Sequence, residues 1–130
     1  MTVATDVSDE LRSLRARVPH LTGALAASVD GLVIAQDAAT SEAESVAALT
    51  AAALGVGIRL ADTAERGGFL ELLVRGEQGY VAIYAAGSSA VVTVVAQARA
   101  NVGRLHLEVR RSSARIAEIV EAALDRPDRS

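Results

Sequence analysis

The sequence predicts an α+β fold, a five-stranded antiparallel sheet with helices on both faces, ordered helix, strand, strand, helix, strand, strand, strand, helix. Three observations carry this. Residues 69–75, 80–85 and 90–96 are apolar runs separated only by Gly-Glu-Gln-Gly and Gly-Ser-Ser turns; links this short allow only antiparallel neighbours. An Asp30-Gly31 pair lies between two further apolar runs, a strong local hairpin signature. Three other segments repeat apolar residues at helical spacing.

Taken in order, residues 1–7 are expected to be a loose, flexible N-terminus. Ser8 is placed to cap a first helix, with Asp9 and Glu10 favourable to its dipole. Leu11, Leu14 and Val18 form its apolar row, and Pro19 ends it. At Asp30-Gly31 a type I′ turn is expected, because that turn needs positive φ at both central residues. Neither flanking run alternates cleanly, so both faces of the hairpin are expected to be covered. Ser41-Glu42-Ala43-Glu44 reads as a capping box that opens a middle helix over about 42–64. Asn101 is placed to cap a last helix over about 103–124, with Leu105, Val109, Ile116, Val120 and Ala123 as its apolar stripe. A polar tail, 125–130, is expected to be flexible, leaving 8–124 as a single domain.

The middle helix has more apolar surface than one sheet can hide. At about 100° per residue, Val46, Leu49, Ala53, Val56, Gly57 and Leu60 fall in one arc, the one expected to cover the sheet. Ala47, Ala51, Leu54, Ile58 and Ala61 fall in an adjacent arc. Together they span about twice the stripe that an ordinary surface helix needs, so Ala47, Ala51, Leu54 and Ile58 are expected to meet a second copy of the chain. Ala48, Ala52, Gly55, Arg59 and Asp62 lie in the remaining sector. Its small side chains let another backbone approach closely, and the Arg59 fork could grip a carboxylate or phosphate.

The first strand of the meander, if it is an edge, can pair with its own two-fold copy. Phe69, Glu71, Leu73 and Arg75 alternate onto one face. With the axis near Leu73, Glu71 of one chain would oppose Arg75 of the other.

Composition narrows the function classes. The 130 residues are 51% hydrophobic with net charge −3, and contain no cysteine and no lysine, so all 13 basic residues are arginine. Disulfides, thiolate metal sites, a Walker phosphate loop and Schiff-base chemistry are thereby excluded. Phe69, Tyr80 and Tyr84 are the only aromatics, too few for a base-stacking surface, and the acidic balance argues against a nucleic-acid partner. The first ten residues show no secretion signal, and the longest apolar stretches, broken by Ser, Asp, Gly or Glu, fall far short of a membrane span. The expectation is a cytoplasmic, soluble protein with no membrane insertion. His20 and His106 sit in different elements without metal-ligand spacing, Gly55-Val56-Gly57 lacks a dinucleotide-loop context, and Ser88-Ser89 reads as turn chemistry. No catalytic residue, cofactor or metal is expected.

Segments 18–35, 41–49 and 99–111, above all the Val29-Asp30-Gly31-Leu32-Val33 turn and the Asn101-Val102-Gly103 helix start, resemble roadblock / dynein-light-chain domains over roughly 8–124. The resemblance implies a homodimer with one continuous sheet through paired third strands and the middle helices side by side. The bacterial proteins it is similar to include regulators of Ras-like GTPases of the MglB type and roadblock components of conservons, which are encoded beside a sensor-kinase-like protein and a small GTPase. It therefore implies a non-enzymatic module that binds a Ras-like GTPase through the middle-helix face. The alternative reading is a PAS-like small-molecule sensor, which also uses a five-stranded antiparallel sheet but needs converging polar groups in a pocket. Thr93, Tyr80 and Tyr84 are nearly all the strands offer.

Overall fold

The computed structural model describes residues 2–37 and 42–125. Its elements are α1 (Val3–Arg17), β1 (Leu21–Ser28), β2 (Val33–Asp37), α2 (Ala43–Thr63), β3 (Glu71–Gly76), β4 (Gly79–Ala86), β5 (Ala90–Gln97) and α3 (Val102–Leu124). The five strands form one antiparallel sheet in the order β2-β1-β5-β4-β3. The predicted class and element order are those observed. α2 passes from one edge strand to the other across one face of the sheet, while α1 and α3 cover the opposite face.

The larger core lies under α1 and α3. Leu11 and Leu14 of α1 and Leu105, Val109 and Ile116 of α3 meet Ala26, Val92, Val94 and Tyr84 from the sheet. On the α2 face, Leu25, Ala27, Ile83 and Val91 meet Ala43, Ala47 and Leu54. β1 thus sends Ala24 and Ala26 to one core and Leu25 and Ala27 to the other, which is why its sequence does not alternate.

Local departures have local causes. α1 starts at Val3, not Ser8: the Thr2 hydroxyl accepts from the Thr5 amide and so caps the helix a turn and a half earlier. Glu10, read as a dipole residue, instead ties α1 to α3 by accepting from Ser112 and Arg115. The β1–β2 connection is not type I′. Gly31 donates to the Ser28 carbonyl at 3.0 Å, and Gly31, with φ +92°, is the left-handed residue; Asp30 is not. The loop is a turn followed by one left-handed glycine, so Asp30 needs no positive φ. Of the expected capping box, Ser41 lies outside the described residues, and Glu42 stands at the α2 N-cap without a side-chain capping bond. The last helix keeps its predicted cap, with Asn101 Oδ1 accepting from the Arg104 amide at 3.0 Å. The expected tail lies outside the described residues beyond Asp125.

Candidate functional site

α2 sits on the sheet through a narrow seat. Ala43, Ala47, Thr50 and Leu54 are buried, with Val46 and Ala53 packed partly against them. At its centre Thr50 Oγ1 and Thr93 Oγ1 share a hydrogen bond of 2.9 Å, fully buried between helix and central strand. Neither threonine falls in the apolar arcs drawn from the sequence, so periodicity alone missed this contact. The two small alanines let the helix backbone approach closely enough for the hydroxyls to meet.

This seat reverses the assignment of the two arcs. Ala47 and Leu54, expected to meet a second chain, are covered by the protein's own sheet, and Ala51 is half-buried. Leu49, Val56 and Leu60, expected to cover the sheet, are 70%, 66% and 66% exposed. The surplus of apolar surface is real; its position was a rotation away. Ile58, at 48%, is also exposed, but on the opposite flank. On that flank the β1–β2 turn packs closely: a Cβ built on Gly31 would lie 3.4 Å from Ala51 Cβ and 3.5 Å from Ala48 Cα. The Leu60 flank faces the other way, bordering a groove of about 430 Å³ shared with Gly57, Phe69 and Leu72. Ala48, Ala52, Gly55, Arg59 and Asp62 all point outward as expected.

β3 is an edge strand, paired only with β4, with Leu73, Val74 and Arg75 exposed. Two of the residues assigned to its dimer face lie elsewhere. Phe69 precedes the strand, so the alternation does not reach it, and it packs toward Gly57 on the α2 face. Glu71 does face away from α2, but its carboxylate is already held within its own chain. Arg110 of α3 donates from Nε at 2.9 Å and from Nη2 at 2.7 Å, and His106 Nδ1 lies 3.3 Å from Oε2. The Tyr84 hydroxyl, opposite Glu71 in the β3–β4 register, hydrogen-bonds the same His106 nitrogen. The hydrogen bond from Arg110 holds the Glu71 carboxyl below the usual carboxylate range, outweighing the effect of burial. Burial pushes the Tyr84 phenol up, and the Glu71 charge adds to it. An ion pair to Arg75 of another chain is therefore not needed to satisfy Glu71.

Among the described residues no three His, Asp or Glu side chains gather where they could hold a metal. α2 is, by length and composition, apolar enough to cross a membrane, with mean hydropathy 1.4 over 18 residues. This departs from the expectation that no apolar stretch approaches a membrane span: averaged over 18 residues, the Ala, Val, Leu and Ile of α2 outweigh its polar breaks. In the fold, the helix is seated on the sheet through Thr50.

The family model of the Roadblock/LC7 domain matches residues 7–96, from α1 through β5. No curated protein matches. Among solved structures, an MglB with a tetrameric arrangement is 22% identical, covers 95% of this chain and 93% of its own, and superposes with a TM-score of 0.87. The gliding protein MglB from Thermus thermophilus is 22% identical with coverage of 94% and 93% and a TM-score of 0.85. A Roadblock/LC7 domain from Streptomyces avermitilis is 24% identical with coverage of 90% and 96% and a TM-score of 0.77. At these identities the structural likeness is one of fold.

Proposed function

The chain belongs to the Roadblock/LC7 family, and we propose that it acts in the bacterial cytoplasm as a homodimeric, non-catalytic module that binds and regulates a Ras-like small GTPase. The observation that carries the reading is the exposed row Leu49, Val56 and Leu60 of α2, whose Leu60 end borders a groove beside β3, together with the unpaired edge of that strand. Covering a leucine or valine side chain contributes roughly 2 kcal/mol, and a two-fold axis presents the row twice. The same axis lets the two β3 edges pair antiparallel, which removes both open edges. The dimer surface then comprises Leu49, Val56 and Leu60 with Leu73, Val74 and Arg75, in place of Ala47 and Leu54.

Two α2 helices side by side would form a broad platform of Ala48, Ala52 and Gly55 flanked by Arg59 and Asp62. Low side-chain bulk with a charged rim suits a protein surface better than a small ligand. The solved MglB described as tetrameric supports self-association as a habit of this fold. The test is mass by light scattering, followed by calorimetric titration with a Ras-like GTPase in its GTP-analogue and GDP forms. A dimer that binds one nucleotide state preferentially, with affinity reduced by Arg59→Ala, is the expected result. A monomer, or a dimer indifferent to both nucleotide states, overturns the reading.

A further inference from the structure

We propose that the outer ridge of α3 is a second self-association surface, on which two copies of the chain pair with their α3 helices antiparallel. α3 lies beyond the segment that the family model matches, and on the opposite face of the sheet from α2.

The observation is an order of charge along the helix. Leu105, Val109, Ile116 and Val120 bury one side of α3. At about 100° per residue, the side diametrically opposite carries Arg104, Leu107, Arg111, Ala114, Glu118, Ala122 and Asp125, all exposed. The charges in this row are basic before Ala114 and acidic after it. Reversed, the row becomes its own complement. Arg111 and Glu118 lie equally far from a point between Ala114 and Arg115, as do Leu107 and Ala122, and Arg104 and Asp125. Two helices packed antiparallel about a two-fold axis at that point set each arginine against a carboxylate of the other copy, and every pair occurs twice. A parallel arrangement would oppose like charges.

Ion pairs within the chain occupy the flanks of α3 and leave the ridge. Arg110 is held by Glu71 at 2.7 Å, and Arg115, beside the axis, is drawn toward α1 by Glu10 at 3.0 Å. Arg111 stands 3.9 Å from Glu108, whose carboxylate Arg17 already holds at 3.0 Å. Arg104 donates to a backbone carbonyl, that of Arg17. Among the described residues, the Glu118 and Asp125 side chains have no hydrogen bond or ion pair.

Ala114 and Ala122 add little bulk, so the two backbones can approach closely, and Leu107, 53% exposed, supplies apolar contact. The matched order of charge favours a second copy over an acidic peptide, which complements only the basic half. It also disfavours a nucleic acid or an anionic membrane, which the acidic half repels. Exposed ion pairs with one bulky apolar side chain per copy hold weakly. The pairing is therefore a salt-sensitive step, reached at concentrations well above those at which the α2 surface is assessed.

The test is sedimentation equilibrium of the full chain over rising concentration, at low and at high salt. A further doubling of mass is expected at low salt and is lost at high salt. Arg111→Glu and Glu118→Arg each oppose like charges twice, and each should weaken the step about tenfold. Mixed in equal amounts, the two variants should regain it, because each supplies the charge the other lacks. Far-UV dichroism confirms that both are folded. Neither substitution touches the α2 surface, and failure of α2 pairing would leave the doubling in place, starting from a monomer. No doubling at low salt, a doubling indifferent to Arg111→Glu, or a mixture that stays apart would each overturn the proposal. So would loss in Arg111→Glu with none in Glu118→Arg, which would assign the basic half to an acidic surface other than this ridge.

Discussion

Arg110 reaches from α3 to the first residue of β3 and holds both carboxylate oxygens of Glu71, at 2.9 and 2.7 Å. This clamp links the helix on one face to the very strand whose far edge is open. The order of the edge strand therefore depends on a residue 39 positions away.

The clamp predicts an acid limb. Because Arg110 lowers the native Glu71 pKa beneath its ordinary 4.5, the stability it confers is complete above the ordinary carboxylate range and is lost as pH falls through the native value. Urea midpoints of the wild type and Glu71→Gln should differ by a small, constant gap at neutral pH, because Arg110 is solvent-facing. The gap should close as pH falls below the ordinary carboxylate range and through the lowered native value. A gap that widens toward acid would contradict the assignment.

Tyr84 predicts the opposite limb. Its phenol is raised chiefly by burial, so the stability of the neutral form is full below about pH 10, where the unfolded phenol ionises, and declines as pH rises toward the native value. Tyr84→Phe should flatten the alkaline loss seen in thermal melts. At neutral pH it should lose about 1 kcal/mol with the His106 bond.

The exposed α2 row predicts a change of mass. Val56→Glu together with Leu60→Glu should give a folded monomer with melting temperature no longer dependent on concentration. Ala47→Glu should instead unfold the chain, since Ala47 is buried beneath its own sheet. Light scattering and dichroism distinguish the two, and a dimer surviving both glutamates would remove this flank from the interface.

Thr50 and Thr93 predict non-additivity. Thr50→Val alone leaves the Thr93 hydroxyl buried without its partner, a loss of about 1–3 kcal/mol. Adding Thr93→Val should recover most of it, because the pair then becomes apolar and nearly isosteric. Chemical denaturation of the four-member cycle measures the coupling.

The end of α2 predicts a stabilising change. Arg66 N donates to Ala61 O and Glu65 N to Asp62 O, a Schellman closure that puts Glu65 at φ +57°. Glu65→Gly relieves a non-glycine residue of that conformation and should stabilise the fold by about 1 kcal/mol. An unchanged denaturation midpoint would show that the strain is absent.

How much of this was legible depended on the range of the interaction. The meander from β3 to β5 and the Asn101 cap are decided within a few residues, and both are where the sequence placed them, except that β3 begins at Glu71, two residues later than the predicted run. The site was legible only in part. The wheel of α2 showed too much apolar surface and placed Ala48, Ala52, Gly55, Arg59 and Asp62 outward, yet it faced Leu49 and Leu60 inward and Ala47 and Leu54 outward. When apolar residues cover more than half the circumference of a helix, periodicity fixes the amount of surface but not its orientation.

The sequence by itself determined the number, kind and order of the elements, because turn residues and apolar periodicity act locally and repeat within each segment. Only the tertiary structure decided which side of α2 stays open and who holds Glu71. The first was settled by the seat between helix and sheet, where Ala47 and Leu54 pack on Ala27, Ile83 and Val91 and the Thr50 and Thr93 hydroxyls meet. The second was settled by α3 lying across the β4–β3 end, bringing a guanidinium to a carboxylate. Both depend on contacts between residues dozens of positions apart, and no local pattern records the direction from which a distant partner arrives.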